Sequence, residues 1–515
     1  MTDRRSFLIG ALGTTLVAAL KAQDPTVTDV EVQLVPNARR LRLETLNFGL
    51  PLPPGLLLDP LMARVIGPDG QEIEAAVRPL EIWRDGVVRQ SIRSLQVQCA
   101  VDFSRARELR IKVRLGEPRR RDRSSFEPVE KTLVQPDGLR GPRVLSVLPA
   151  EWLCASRVAG PQTPASRSGR YALYDQTVER NFARSLDYIA STDPVAWLFD
   201  RTSAWYKAYI RTGQGKYLAA AYRAANFVRA QTVATGVRAG TFRLRGADLK
   251  YVYPRALHLH YLLSGDPRAL DTGKLMSRYC LDHWNPHYRP DQKSGPDDES
   301  GEGGHWTPRH QGFGLLGVLH GWEMSGDPVY LDKCKDYVDA CYEHQTQPPD
   351  GRPADGSWRQ NWATYDPSEA TFEGGASAWM TAILCDALFN HWTITKDPRI
   401  PRMILAWCDF LDARGLRPDG AEAFYVINCF AKRDEPGGVI GESMDLHNAE
   451  LCHTFALGMF FASDAAKKAV YGRRVDRLLE QWSKTDLNDT PRAYNWALQA
   501  SGQMIYLLSH TPDDV

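Results

Sequence analysis

Several things are scarce or missing in this chain, and each shortage removes a class of protein. None of its nine cysteines forms a Cys-x-x-Cys pair, so a zinc ribbon or a dithiol redox motif is excluded. Net charge is close to nil, +1 from 63 basic and 62 acidic residues, which argues against wholesale binding to nucleic acid. There is no G-x-S-x-G, P-loop, dinucleotide fingerprint or H-E-x-x-H. Serine hydrolase, nucleotide-binding and zincin readings therefore lack support. After residue 20 no apolar run is long enough to cross a membrane. No cofactor and no metal is expected. Asp297, Asp298 and Glu299, the acidic cluster that would suit calcium, lack regular ligand spacing.

What is present begins with an N-terminal segment that reads as outside the fold. Asp3-Arg4-Arg5-Ser6-Phe7-Leu8 leads into an apolar run from Leu8 to Leu20, with the small residues Ala18, Ala19 and Ala22 behind it. Residues 1–23 look like a twin-arginine export signal, with an uncleaved anchor or a chance Arg pair as the alternatives. The expectation is a periplasmic or secreted protein, folded before export and free of the membrane once the signal is removed. The cysteines are scattered through apolar patterns, where a thiol serves as a small core residue.

Residues 27–150 read as a β domain. Polar and apolar residues alternate in VTDVEVQLV, RRLRLETLNFGLPL and LRIKVRL, and Gly-Pro-Asp-Gly at 67–70 and Asp85-Gly86 mark turns. This predicts an antiparallel β-sandwich or barrel-like module. Arg119-Arg120-Arg121-Asp122-Arg123 is expected to be a solvated loop. Residues 151–175 belong to a Pro-, Gly- and Ser-rich stretch and are expected to form a linker.

From 176 to 510 the apolar period becomes helical. Four segments repeat one helix–turn signal: IRTGQGKYL (210–218), LLSGDPRAL (262–270), EMSGDPVYL (323–331) and TITKDPRIP (393–401). Three place Gly where a helix C-cap needs positive φ, and three place Asp-Pro where Asp caps the next helix. A weaker fifth copy, FFASDAAKKAVY, follows at 460–471. Repeats of this length mean stacked helical hairpins. Ten to twelve helices closed into an α/α toroid are expected, making the whole chain a multidomain α+β protein. Three long loops, 236–255, 284–312 and 346–374, are rich in Trp, His, Arg and Gly, which favours function.

FGLPLPPGLL (48–57), GPDGQEI (67–73) and LEIWRDGVVRQSI (80–92) together resemble the first domain of the rhamnogalacturonan exolyase-like family. That resemblance implies a β module followed by an α/α toroid, and processing of a uronate-containing polysaccharide. The chain differs from the family in having only a linker where a middle β-sandwich is usual. Arg89-Gln90 also stands where an aromatic residue follows the W-x-D-G hairpin.

Four clusters carry residue types suited to chemistry on such a substrate. The first is 297–310, where His305, Trp306, Arg309 and His310 gather at a helix start that favours an anion. The second is 248–260, with Tyr253 and Arg255 around a Pro; Tyr251 and His258 are further candidates, and at least one of His258 and His260 is expected in the core. The third is 355–379, with Trp358, Arg359, Asn361, Trp362, Tyr365, Glu373 and Trp379, a set suited to sugar stacking or to domain packing. The fourth is 445–453, with Asn448, Glu450 and His453, the last two on one helix face.

A polysaccharide lyase needs a base, a charge stabiliser and an acid. Tyr253, His305, Arg309 and His310 are the candidates for these catalytic roles. Arg255, Trp306, Trp358, Asn361, Glu373, Asn448 and His453 are the candidates for binding substrate. A glycoside hydrolase would instead need two carboxylates, for which Asp248, Glu302 and Glu373 are suited. A non-catalytic glycan-binding protein would keep only the aromatics. The expected partner in each case is an acidic polysaccharide or oligosaccharide.

Overall fold

The computed structural model describes residues 27–84, 90–104, 106, 108–134, 141–188, 190–287, 307–349, 351–360, 375–427, 429, 438–439, 445–487, 492–499 and 502–515. Residues 1–26, where the export signal is expected, and residues 288–306 and 361–374 lie outside the described residues.

The alternating segments form strands β1 (Thr28–Pro36), β2 (Leu43–Pro51), β3 (Ala63–Ile66), β4 (Ala75–Ile82), β5 (Ile92–Asp102) and β6 (Leu109–Leu115). A two-residue ladder of β7 (Leu133–Val134) and β8 (Gly141–Pro142) precedes β9 (Val144–Val147). One sheet has the order β3-β6-β1-β9 and a second the order β2-β5-β4, with antiparallel pairing throughout. Strand β2 lies beside β9 and β3 beside β4, so the two sheets meet at both edges and curl toward a barrel. The alternation of β1 puts Val30, Val32 and Leu34 inside, which is the period-two pattern of the sequence made physical. Arg119 departs from the solvated loop expected of its run. Its guanidinium folds back to donate to the carbonyls of Pro60 and Ala63 at 3.1 and 3.0 Å.

The expected linker holds a short helix, α1 (Ala150–Ala155), and two 3₁₀ turns. Trp152 Nε1 donates to Pro51 O at 2.8 Å, tying α1 to the β module.

Among the described residues twelve further helices make a closed double ring, followed by a one-turn helix at Met504–Leu507. They are α2 (Ala172–Ser185), α3 (Arg201–Thr212), α4 (Gly215–Gln231), α5 (Pro254–Ser264), α6 (Pro267–His283), α7 (Pro308–Ser325), α8 (Pro328–Thr346), α9 (Ala378–Thr395), α10 (Arg399–Phe410), α11 (Asn448–Phe461), α12 (Ala465–Trp482) and α13 (Ala493–Gln499). Helices α3, α5, α7, α9, α11 and α13 each touch the next, and α13 returns to α3. The other six pack outside them, α2 against α13 closing the last pair. The division follows from the side chains. Every residue of α5 is buried, and nearly every residue of α7, α9 and α11. Helices α6, α10 and α12 bury one stripe only, as an outer layer should.

The repeated turns join inner to outer helices. Gly213, Gly265 and Gly326 take the left-handed conformation that stops the inner helix. Lys396 takes the same conformation without being glycine, at φ 54°. Asp266, Asp327, Asp397 and Asp464 then cap the outer helices through their carboxylates at 2.8–3.1 Å. Because each of the five hairpins turns at this end, α3, α5, α7, α9 and α11 run the same way, and α13 closes the ring against α2. Their C-terminal ends face the β module and their N-terminal ends face the opposite rim.

The β module seals the C-terminal end by satisfying helix carbonyls that α5 cannot pair internally. Asn47 Nδ2 donates to Ser264 O at 2.6 Å and Ser94 Oγ to Leu262 O at 2.7 Å. Arg84 reaches Glu323 O near the end of α7. All nine cysteines are buried thiols, as the apolar context of most of them suggests. Among the described residues no helix is long and apolar enough to cross a membrane.

Candidate functional site at the N-terminal rim

The four sequence clusters precede α5, α7, α9 and α11, four inner helices that start at the same rim. The N-termini of the inner helices converge there and bring the positive ends of their dipoles together, with the first turns of α3 and α7 capped by Asp200 and Thr307. Aromatic rings fill the mouth beneath. Phe199 meets Phe313, Trp379 and Trp496 with centroids 5.7, 5.7 and 5.0 Å away. His447 stacks on Trp379 at 4.7 Å, and its centroid lies 4.0 Å from that of Trp496. Two guanidiniums lie over these rings, Arg309 over Trp379 at 5.2 Å and Arg492 over Trp496 at 4.6 Å.

Beside them is a polar group built on the turn before α5. Asp248 caps that turn, its Oδ1 accepting from Lys250 N at 3.0 Å. The Lys250 ammonium stands 3.2 Å from Asp248 Oδ2. His310 Nε2 is 3.9 Å from Asp248 Oδ1, an electrostatic contact rather than a hydrogen bond. Thr307 Oγ1 holds His310 Nδ1 at 2.6 Å, and Trp284 stacks on the imidazole at 5.3 Å.

These surroundings set the protonation states. Burial pulls His310 down to about 3, with Arg309 and Lys250 adding to the effect against Asp248, so the imidazole is neutral at pH 7. Burial, with Arg309 beside it, pulls Lys250 down to about 8. Burial would raise Asp248, but His310 and the Lys250 ammonium outweigh it and hold the carboxylate well below its ordinary value. Glu450 goes the other way. Burial raises it, although His447 Nδ1 lies 3.1 Å from its Oε1.

The candidate residues divide on inspection. Arg309 and His310 stand on the rim. His305, Trp306, Asn361, Trp362, Tyr365, Glu302 and Glu373 lie outside the described residues, as do Asp297, Asp298 and Glu299. Tyr253 is buried, and its phenol oxygen accepts from Phe199 N at 2.8 Å. Burial pushes that phenol well above its ordinary value, so it stays protonated and suits an acid rather than a base.

Four binding candidates point away from the rim. Arg255 runs down the barrel axis, its guanidinium held by Asp386 Oδ2 and Asn390 Oδ1, each at 3.1 Å. Trp358 is fully buried against the outer helices and donates to Cys341 O at 2.8 Å, so it offers no face to a sugar. Asn448 Nδ2 bonds Ala421 O at 2.8 Å, directed toward α12. His453 faces Asp386 inside the barrel, 3.8 Å from Oδ1, and Glu450 pairs with His447 rather than with it. Arg255 and His453 thus satisfy the interior of the ring through Asp386, while Trp358 and Asn448 tie the inner layer to the outer helices. His260, hydrogen-bonded to Tyr206 at 2.6 Å, is the core histidine that the spacing foretells.

Phe199, Lys250, His447, Arg492 and Trp496 belong to the rim but were not singled out by motif. Their shared signal is position, since each lies just before an inner helix or in its first turn.

No family model matches the chain, and no curated protein matches it. Several solved structures align with about two thirds of it. One is UGL with the saccharide dGlcA-Glc-Rha-Glc, at 13% identity over 66% of this chain and 97% of that one, with a TM-score of 0.48. Another is a polysaccharide lyase, at 12% identity over 65% and 98%, TM-score 0.44. A third is a family 88 glycosyl hydrolase from Bacteroides vulgatus, at 10% identity over 66% and 99%, TM-score 0.44. Likenesses this distant transfer no residue roles.

Proposed function

We propose that the N-terminal rim binds the uronate-bearing part of an acidic polysaccharide or oligosaccharide, and that the protein is a carbohydrate-active enzyme cleaving it by β-elimination. The observation that carries the reading is the meeting of the inner-helix N-termini with the Arg309 and Arg492 guanidiniums, which rest on the buried indoles of Trp379 and Trp496. Guanidiniums and the positive ends of helix dipoles favour a carboxylate. Elimination begins with removal of the proton beside the carboxylate. Arg309 is placed to take up charge on that carboxylate, and Lys250, its ammonium weakened by burial, is suited to accept the proton. Tyr253, kept neutral, is suited to donate to the leaving oxygen. Export through the twin-arginine route to the periplasm or beyond is part of the same proposal and accords with an extracellular polymer.

One observation favours a second reading, glycoside hydrolysis. Asp248 is held ionised while Glu450 is held toward its protonated form, the divergence expected of a base and an acid. The test separates the two. The purified mature protein is mixed with uronate polysaccharides and absorbance is followed near ~235 nm, where β-elimination creates a conjugated double bond. A rise that vanishes in Arg309→Ala and falls sharply in Lys250→Met supports elimination at this rim. New reducing ends without the rise, lost in Asp248→Asn, move the assignment to hydrolysis. Neither product from any acidic glycan refutes both and leaves a glycan-binding protein.

A further inference from the structure

The opposite end of the barrel holds a second cluster, at the seam with the β module. His258 comes from α5, and His320 and Glu323 come from one face of α7 at i and i+3. Three donor atoms converge. His258 Nδ1 and His320 Nδ1 are 3.1 Å apart, and Glu323 Oε2 lies 3.7 Å from the first and 2.7 Å from the second. A point about 2 Å from all three atoms exists, which is the distance at which zinc binds imidazole nitrogen and carboxylate oxygen. Without a cation, the His320 ring proton is shared between Glu323 Oε2 and His258 Nδ1; with one, all three atoms can turn their lone pairs to it.

The surroundings are those of a built site. His258 Nε2 faces Glu81 Oε2 at 2.8 Å, so the ring hydrogen sits there and the Nδ1 lone pair points into the cluster. Arg93 Nη1 ties the two carboxylates together, donating to Glu81 Oε1 at 2.8 Å and to Glu323 Oε1 at 2.7 Å. That leaves Glu323 Oε2 for the cluster. His320 Nε2 is buried without a hydrogen-bond partner. The first three donors come from the barrel and their orienting partners come from strands β4 and β5, so the arrangement exists only when the two modules dock.

We propose that His258, His320 and Glu323 bind one divalent transition-metal ion of the zinc class, with Glu81 and Arg93 orienting the ligands. Three protein ligands leave a fourth position. His320 and Glu323 also line a cavity of about 200 Å³ whose wall includes Trp83, Trp322, Arg157 and Lys396. The fourth position is therefore open to water or to a small anionic ligand entering that cavity. Oxygen donors alone would favour magnesium or calcium; the two imidazoles select against both.

The test uses the full chain. The protein is stripped with a chelator, reloaded with zinc or cobalt(II), and its metal content, visible spectrum and thermal unfolding are measured. The expected result is one metal per chain, a cobalt spectrum of four-coordinate type, and a higher unfolding temperature with metal. His320→Gln and the His258→Ala/His320→Ala double variant should lose the bound metal, and Glu81→Gln should weaken binding by about 10–100-fold. Should the double variant fail to fold, His320→Gln and the wild-type cobalt spectrum still decide. Absence of stoichiometric metal in the reloaded wild type overturns the proposal, and so does undiminished binding in His320→Gln.

Discussion

Gly49→Ala is the sharpest perturbation of the seam between the two modules. Gly49 lies on β2 directly against the last turn of α5. A Cβ there would sit 2.7 Å from the carbonyl carbon of Leu262 and 2.8 Å from that of Leu263, and closer still to Leu262 O. Carbon atoms rest about 3.5–4.0 Å apart, so the strand must withdraw by about 1 Å. The opposing atoms are helix backbone and cannot swing aside. Withdrawal would stretch two bonds, Asn47 to Ser264 O at 2.6 Å and Ser94 to Leu262 O at 2.7 Å, toward the limit of hydrogen bonding. Overpacking costs about 1–3 kcal/mol and each weakened bond up to about 1 kcal/mol. Replacing glycine in a strand returns only about 0.5–1 kcal/mol. The net expectation is a loss of about 2–4 kcal/mol, read as a lower urea midpoint and faster proteolysis near Pro51–Leu57. Gly70→Ala is the control, because Gly70 has φ +80° but nothing within 4 Å of the added methyl group. It should lose only about 1 kcal/mol, from backbone strain alone. If Gly49→Ala costs no more than Gly70→Ala, the close approach of β2 to α5 is not what docks the β module.

Asp175→Asn strands the buried Arg211 guanidinium, which now meets both carboxylate oxygens at 2.7 and 2.8 Å; about 3 kcal/mol should be lost in urea unfolding. Stability should fall as pH drops from about 6.5 toward 4. Burial holds His260 near 4 in the folded chain against an ordinary 6.5, so the unfolded chain takes up the proton first. The His260 share is complete above 6.5 and fades through 4, by at most about 3 kcal/mol; the buried His310, His320, His391 and His453 act in the same sense, so His260→Gln should reduce the slope of that limb of a urea-midpoint profile without removing it. Arg309→Ala should raise KM for a uronate oligosaccharide by about 10-fold or more and, because the side chain is buried over Trp379, also lower the unfolding midpoint. Trp379→Ala should leave a cavity among Phe199, His447 and Trp496 and cost about 3–5 kcal/mol in urea unfolding.

The sequence by itself determined the helical ring, because its evidence is local. A Gly or Lys stop followed by an Asp cap acts within five or six residues, and the caps at Asp266, Asp327 and Asp397 are in place as read. The same local logic placed the strands of the β module and put the candidate loops ahead of inner helices. What local pattern could not decide was which way each polar side chain faces once six helices close into a ring. Helices such as α5 and α9 are buried all round, so a polar residue near their start points to the rim, to an outer helix or down the axis with no difference in spacing. Arg309 and His310 went to the rim; Arg255 and His453 turned to Asp386, and Trp358 and Asn448 were spent on outer packing. The His258–His320–Glu323 cluster was likewise invisible in order along the chain, its histidines being 62 positions apart. It exists because α5 and α7 are neighbours in the ring and because Glu81 and Arg93 arrive from a separate module. Contact across the ring and across the seam is a property of closure, and only the tertiary structure supplies it.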